Sequence, residues 1–313
     1  MTPPVRGRLA PSPTGAQHVG NARTYLIAWL SARSRGGSVL LRVEDIDVWR
    51  NWPGTQEQLA ADLRWLGLDW DGEPVVQSER LADHAAALDR LKQLDLVYPC
   101  TCSRTDIQSA ASAPHLEHEG PTYPGTCAHR HAADAASLTV PYAWRFRVTD
   151  TPAFTDLYAG PQHLDLKQAG GDFVVWRSAD VPAYQLAVVT DDAAAGVTEV
   201  VRGGDLLTST PRQLLLYRAL GLTPPAFAHV PLVVGPDGRR LAKRNGDTRL
   251  AGLRANGVSA ERLLGLLAYS CGWLPIVTEV SAKELLPMFR LDAIPREPFA
   301  LTPELLREIG YRG

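Results

Sequence analysis

The chain is 313 residues long, 45% apolar and 21% charged, an ordinary globular composition with enough apolar chain for a sizeable core in two or three structural units. Its formal net charge of -2 excludes both a basic coat for nucleic acid and an acidic tail, so any RNA contact has to come from a local patch. No apolar run reaches the roughly 18 residues of a membrane span, and "MTPPVRGRLAP" lacks the apolar core of a secretory signal, which points to the cytoplasm and no membrane.

In chain order, "VRGRLA" reads as a short strand and "PSPTGAQHVG" as a loop. Ala22, Leu26, Trp29 and Leu30 then give one apolar helical face that ends at Gly36-Gly37. "SVLLRVED" follows as a strand, and this β-loop-α-β order is the first half of a parallel-sheet nucleotide fold. Two helices are expected near 54–66 and 79–94. From about residue 98 to 180 the text changes to cysteines, histidines, prolines and short strand-like runs such as "YAWRFRV", an inserted α+β module. The α/β pattern resumes with "AYQLAVVTDD" and "GVTEVVRG". In "TPRQLLLYRALG", Thr210 is expected as N-cap, Pro211 at the first helical position, Gln213 as its capping-box partner and Gly221 as the helix end. "HVPLVVGPDGRRLAKR" reads as a hairpin around Pro-Asp-Gly, and from about Gly252 onward the chain reads as helical. The expected division is therefore 1–97 and 181–250 for two halves of a catalytic domain, 98–180 for the insertion and 251–313 for a small helical domain.

The opening loop stands where a parallel α/β sheet binds ligands. A helix N-terminus there offers unpaired N–H groups and a positive dipole end to a phosphate. Gly20 would let backbone approach a nucleotide closely, and the His18 imidazole can donate to a phosphate oxygen; a single histidine before a helix can equally be a plain cap. Downstream, "RRLAKRNGD" puts a cationic tip on a Gly-flanked loop. With four lysines against 28 arginines, Lys243 stands out. An ammonium on a flexible stem can follow migrating phosphate charge, whereas a guanidinium fork prefers a fixed partner.

Together these phrases resemble the class I aminoacyl-tRNA synthetases, and within them the glutamyl branch. "HVGN" is similar to the HIGH signature and "RLAKR" to the KMSKS loop; "RLAPSPTG", "LRVEDID", "QSERL", "VVTDD", "VVRGGDLLTSTPRQLLLY" and "HVPLVVGPDG" fit the branch in order from residue 6 to about 247. Two departures matter: Arg240 replaces the first lysine of the KMSKS loop and Ala242 its serine, which removes a hydroxyl that could touch phosphate. The resemblance implies a Rossmann-like parallel sheet and a two-step reaction. L-glutamate attacks the α-phosphate of ATP, with Mg2+ accompanying the nucleotide, and the glutamyl group passes from the adenylate to an RNA hydroxyl.

By the same resemblance, Arg8, Leu9, Ala10, Pro11 and Ser12 hold the glutamate, with Arg8 as a bidentate fork. Glu44 takes the α-ammonium, and Tyr184 and Arg202 complete the pocket. ATP would be held by His18, Gly20, Asn21 and the loop Arg240, Leu241, Ala242, Lys243 and Arg244, with His18, Gly20 and Lys243 in the chemical step. Each has a plainer reading: Glu44 and Arg202 as a structural ion pair, Tyr184 as core.

About 66 residues follow the KMSKS-like loop, whereas a conventional glutamyl enzyme adds roughly 150 or more, about one further domain. The chain therefore resembles the short paralogues of the branch, which attach glutamate to queuosine in the anticodon loop of tRNA(Asp), here expected of a monomer with a small helical stem-contact unit. The alternatives are a conventional or truncated enzyme charging the 3′ end of tRNA(Glu), and a non-catalytic RNA-binding paralogue.

Cys100 and Cys102 form a C-x-C pair in the insertion, with Tyr123, Cys127 and His129 beyond. Cytosolic disulfides are rare, so a close thiol pair near other ligand-type residues reads as a zinc site. Cys271 is expected to be a buried free thiol. Residue type leaves Tyr123 and His129 both open as fourth ligand. The short paralogues imply Cys100, Cys102, Tyr123 and Cys127 around one structural Zn2+; full-length relatives would use Cys127-Ala128-His129.

Overall fold

A computed structural model describes residues 4–13, 16–46, 54–103, 105–107, 122–178, 180–239, 241 and 248–312. Strand β1 (Arg6–Leu9), helix α1 (Val19–Arg33) and strand β2 (Ser38–Val43) form the expected opening, with β1 and β2 parallel from Arg6 opposite Ser38 to Leu9 opposite Leu41. Helix α2 (Thr55–Trp65) leads to the short β3 (Val75–Val76), which pairs parallel to the end of β2. A 3-10 turn over Gln77–Arg80 enters α3 (Leu81–Gln93).

The chain from Val97 to Pro182 then builds β4 (Val97–Cys100), β5 (Ala143–Phe146), the hairpin β6 (Phe154–Asp156) and β7 (Gly160–Gln162), β8 (Phe173–Arg177) and β9 (Val181–Pro182). Four of these make an antiparallel sheet in the order β4-β5-β8-β9, as expected of a segment whose runs are too short for crossover helices. Helix α4 (Tyr184–Ala194), β10 (Glu199–Gly203), α5 (Ser209–Leu220) and β11 (Ala226–Val230) restore the parallel pattern. The Thr198 N–H donates to Arg6 O at 2.9 Å, which sets β10 beside β1. The parallel order is thus β3-β2-β1-β10-β11, a doubly wound arrangement with its switch point between β1 and β10.

Strand alternation sorts two cores. Val39 and Leu41 face α1, whereas Leu40 faces the layer of α3, α4 and α5. Helix α1 is buried on more than the one face that its spacing suggests, since Ile27, Ala28, Ser31 and Ala32 are covered as well. The sheet lies on one side of it and the C-terminal helix α7 (Ala260–Ser270) on the other. Buried Arg23 locks this contact, donating to Ser270 Oγ at 2.8 Å and Pro231 O at 2.6 Å.

Three sequence expectations change. Thr208, not Thr210, is the N-cap residue of α5, so Pro211 sits at the third helical position, still within the first turn where its missing N–H costs nothing. Gln213 bonds Gln185 instead of closing a capping box, while Gly221 ends the helix in the left-handed conformation at φ 68°, as expected. The Pro-Asp-Gly turn forms, with Gly235 N–H donating to Arg239 O at 2.7 Å, but β12 (Val233–Val234) pairs in parallel with β13 (Phe299–Ala300) rather than with a returning hairpin strand. Finally, the C-terminal part holds α6 (Leu250–Ala255), α7 and α8 (Pro303–Glu308), with turns, a short 3-10 segment and β13 occupying most of 271–302.

Candidate active site

The carboxyl ends of β1, β2 and β10 and the N-terminus of α1 surround a cavity of about 690 Å³. Its walls include Arg8, Ala10, Ser12, His18, Gly20, Asn21, Glu44, Tyr184, Arg202 and Leu241, all singled out by the sequence. Leu9 and Pro11 are not in the lining. Leu9 is fully buried in the apolar core, and the Pro11 carbonyl accepts the Glu44 N–H at 3.0 Å, tying the loop to the end of β2. Arg240, Ala242, Lys243 and Arg244 lie outside the described residues.

His18 is the N-cap of α1. Its Nδ1 accepts the N–H groups of Gly20 at 3.1 Å and Asn21 at 3.4 Å, while Asn21 Oδ1 accepts the His18 N–H at 3.1 Å. An Nδ1 that accepts places the ring proton on Nε2, so the cap and the donor readings of this histidine are compatible. Gly20 has a steric reason as well: a Cβ there would stand 3.0 Å from His18 Cε1 and 3.1 Å from Nδ1. The chain after the second signature returns to the same point. Thr248 O accepts the Val19 N–H at 3.0 Å, and the Leu250 N–H donates to Gln17 O at 2.8 Å.

Beneath the cavity floor lies a charge network that the sequence did not reveal. Fully buried Arg42 pairs with Asp192 through Nη1 and with Glu44 Oε1 at 3.0 Å through Nη2. Asp192 also stands 3.6 Å from Arg8 Nε. Asp191 beside it is matched by Arg80 Nε at 2.9 Å, Gln77 at 2.7 Å and His84 at 3.0 Å. Burial alone would raise the Asp191 carboxyl, but the His84 hydrogen bond and the Arg42 charge hold it below the usual range. Arg202 donates Nε–H to His229 Nε2 at 2.9 Å and Nη2–H to Thr210 Oγ1 at 2.8 Å; its Nη1 is buried with no hydrogen-bond partner among the described residues. Tyr25, missed from the sequence, also lines the cavity and donates to Gln17 Oε1 at 2.7 Å. The spacing 18, 21, 25 on one helix face was the available signal.

The insertion brings Cys100, Cys102 and Cys127 together, their Sγ atoms within 4.8 Å of one another. Cys102 Sγ and Cys127 Sγ are 3.7 Å apart, and the Tyr123 hydroxyl lies 3.4 Å from Cys100 Sγ. A tetrahedral zinc with thiolates at about 2.3 Å and oxygen at about 2.0–2.2 Å has edges of about 3.5–3.8 Å, close to these two separations, so the three cysteines could hold the ion. Arg145 stands 3.3 Å from Cys100 Sγ with its guanidinium 3.9 Å over the Tyr123 ring, a cation suited to an electron-rich thiolate cluster. Burial works to raise the Cys127 thiol, yet hydrogen bonds from Thr101 and Cys102 bring it down to about 7; burial and Cys100 push Cys102 up to about 11. His129 is exposed and outside the cluster. Cys271 is buried with a free thiol, as expected.

Comparison with known proteins adds three findings. The model for the catalytic domain of class I tRNA synthetases (E and Q) matches residues 4–285. The chain is 54% identical to a glutamyl-Q tRNA(Asp) synthetase of Symbiobacterium thermophilum, over 97% of this chain and 98% of that one, and 52% identical to one of Rhodopirellula baltica, over 86% and 85%. It also superposes on the crystal structure of a glutamate-tRNA synthetase from Elizabethkingia anophelis with a TM-score of 0.82 at 27% identity, covering 97% of this chain and 69% of that one. Among the described residues, no helix is long and apolar enough to cross a membrane.

Proposed function

Because the chain belongs to the class I tRNA synthetases of the E and Q type, we propose that it activates L-glutamate with ATP and transfers the glutamyl group to queuosine in the anticodon loop of tRNA(Asp). The observation that carries the amino-acid assignment is a charge balance. Among the described residues, three buried guanidinium groups, on Arg8, Arg42 and Arg202, face the two carboxylates of Glu44 and Asp192, and neighbouring Asp191 is matched by Arg80, which leaves one net positive charge; Asp205, which also lines the cavity, is exposed to water. Glutamate, with two carboxylates and one ammonium, carries the single negative charge that cancels it. Glutamine does not, and an uncancelled charge in a site shielded from water is costly.

In this reading Arg8 and the loop through Ser12 take a carboxylate, Glu44 takes the α-ammonium, and Tyr184 and Arg202 close the pocket. His18 Nε2–H faces phosphate as its charge builds, Gly20 and Asn21 present the α1 N-terminus to ATP, and the loop carrying Arg240, Leu241, Ala242, Lys243 and Arg244 follows the leaving pyrophosphate. Mg2+ bound to ATP would neutralise phosphate charge. Positioning and charge stabilisation do the rest, with no side chain forming a covalent intermediate. Cys100, Cys102, Tyr123 and Cys127 would hold one structural zinc, closed to substrate because all four positions are protein atoms. The queuosine assignment is supported by the glutamyl-Q tRNA(Asp) synthetases at 54% and 52% identity. A cytoplasmic monomer and the domain division at 97, 180 and 250 belong to the same reading.

The test is glutamate-dependent exchange between ATP and pyrophosphate without tRNA, followed by glutamyl transfer to tRNA(Asp) with and without queuosine and to tRNA(Glu). Exchange without tRNA and transfer only to queuosine-containing tRNA(Asp) are expected. Charging of tRNA(Glu) would overturn the acceptor assignment, and exchange with glutamine in place of glutamate would overturn the charge argument.

A further inference from the structure

We propose that His229 is the positioning residue for Arg202, held in turn by Asp156 of the inserted module, so that the guanidinium is fixed at the wall of the amino-acid cavity. The inference rests on the reading of that cavity as the glutamate site. Three segments far apart in sequence meet here: Asp156 ends β6 of the insertion, Arg202 lies on β10 and His229 on the neighbouring β11. All three side chains are buried.

Donor and acceptor chemistry fixes the order of the chain. A guanidinium has no acceptor, so the 2.9 Å contact from Arg202 Nε requires His229 Nε2 to carry the lone pair. The ring proton is then on Nδ1, which donates to Asp156 Oδ2 at 2.6 Å. Asp156 is itself pinned, its Oδ1 accepting the N–H groups of Tyr158 at 2.9 Å, Ala159 at 2.7 Å and His229 at 3.1 Å. Thr210 Oγ1 completes the frame at 3.1 Å from His229 Nε2 and 2.8 Å from Arg202 Nη2. Phe227 supports both partners, lying 6.2 Å from the His229 ring in a stacked arrangement and 5.2 Å beneath the Arg202 guanidinium. With Nε and Nη2 committed, Nη1 is the buried donor left without a partner among the described residues, in a group that lines the cavity. A buried donor in that state is expected to meet a ligand atom.

This device requires a neutral imidazole. Burial lowers the His229 pKa, and the charges of Arg202 and of Arg8 on β1 act in the same direction, against the opposing pull of Asp156. Protonation would remove the acceptor and set a second cation against Arg202. Among the described residues the groups against the ring are Asp156, Arg202, Thr210 and Phe227, with the charge of Arg8 beyond them, and the carboxylate of Asp156 is held below the usual range because the His229 and backbone hydrogen bonds outweigh its burial. Glutamate binding should therefore weaken in acid as His229 gains a proton.

The experiment has two arms on the full chain. Nitrogen-15 spectra of imidazole-labelled protein read the tautomer without substrate; a proton on Nδ1 and an accepting Nε2 are expected, and the reverse overturns the proposal. Steady-state exchange then compares wild type, His229→Leu and His229→Gln across pH. The leucine variant should raise the glutamate KM about tenfold to hundredfold through a misplaced guanidinium while leaving the ATP KM within about twofold. The glutamine variant, whose amide can accept from Arg202 and donate to Asp156, should return the glutamate KM to within about threefold of wild type and lose the acid-side rise in KM. An unchanged glutamate KM in His229→Leu, or a glutamine variant no better than leucine, overturns the proposal. If His229→Leu does not fold, the tautomer and the pH profile of His229→Gln decide. Wild-type protein with the Nδ1–H tautomer but no glutamate-dependent exchange would leave the positioning geometry supported and refute the proposed function instead.

Discussion

Replacing Asp192 by Asn should destabilise the fold and weaken glutamate binding together, and the two effects can be pulled apart. Arg42 is fully buried and Asp192 is 1% exposed, so the substitution removes one of the two carboxylates that compensate a cation shielded from water. Breaking a buried pair in this way costs about 3–5 kcal/mol, because Glu44 is left as the one carboxylate paired with Arg42 and the charge of Arg8 loses its partner. For a chain of this size each kcal/mol lowers Tm by about 2 °C, which gives a fall of about 6–10 °C. Arg8 loses its carboxylate partner at 3.6 Å in the same step, so the glutamate KM should rise while the ATP KM stays put. Thermal unfolding and exchange kinetics are measured on Asp192→Asn and on the double variant Arg42→Met, Asp192→Leu. Removing both charges should restore stability to within about 1 kcal/mol of wild type, as apolar replacement of buried pairs commonly does, without restoring the glutamate KM. A single variant as stable as wild type, or a double variant that recovers both properties, would refute the reasoning.

Lys243→Ala should slow exchange by about two to four orders of magnitude, roughly 3 to 5 kcal/mol on the barrier, with glutamate affinity little changed; near wild-type turnover would move the role to Arg240 or Arg244. Gly20→Ala should press its methyl against the His18 ring, whose atoms stand 3.0 and 3.1 Å from that position, so that denaturant unfolding shows about 1 kcal/mol of lost capping and the ATP KM rises. An unchanged ATP KM would show that the His18 ring orientation does not matter to the nucleotide. Purified protein should carry one zinc per chain, with Tyr123→Phe altering the ligand shell in X-ray absorption and His129→Ala leaving it intact. Zinc lost in His129→Ala, with an unaltered shell in Tyr123→Phe, would reverse the ligand assignment.

Local chemistry was legible wherever one stretch of chain contains all of its own partners. The α1 start is such a case, because His18 and Asn21 cap the helix within four residues, and Gly221 ends α5 by its own backbone freedom. Thr210 misled for an instructive reason. Its position before Pro211 has every local mark of an N-cap, yet its hydroxyl is spent on Arg202 and His229, partners that only the packing of α5 against β10 and β11 supplies. The same competition explains Gln213, which reaches Gln185 on α4 instead of its own helix end. The hairpin expected after "HVPLVVG" rests on its turn alone. The turn does form, but Val233 and Val234 find their strand partner at Phe299 and Ala300, more than 60 residues on.

The cavity divides along the same line. Residues that reach into it stand in short contiguous phrases, since each strand end contributes a few neighbouring positions to the rim: Arg8, Ala10 and Ser12 after β1, Glu44 after β2, Arg202 and Gly203 on β10. Residues that hold them do not. Arg8 meets Val201 O and Asp192, Arg42 meets Asp192, and Arg202 meets His229, which itself rests on Asp156 from the insertion. No periodicity or spacing encodes such pairs, because their geometry exists only once β10 has been laid beside β1 and the insertion has folded back against β11. The contacts beneath the cavity are therefore where substitutions should alter glutamate affinity without touching the rim, and Asp192 and His229 probe them through different partners, Arg8 and Arg42 for the first and Arg202 for the second.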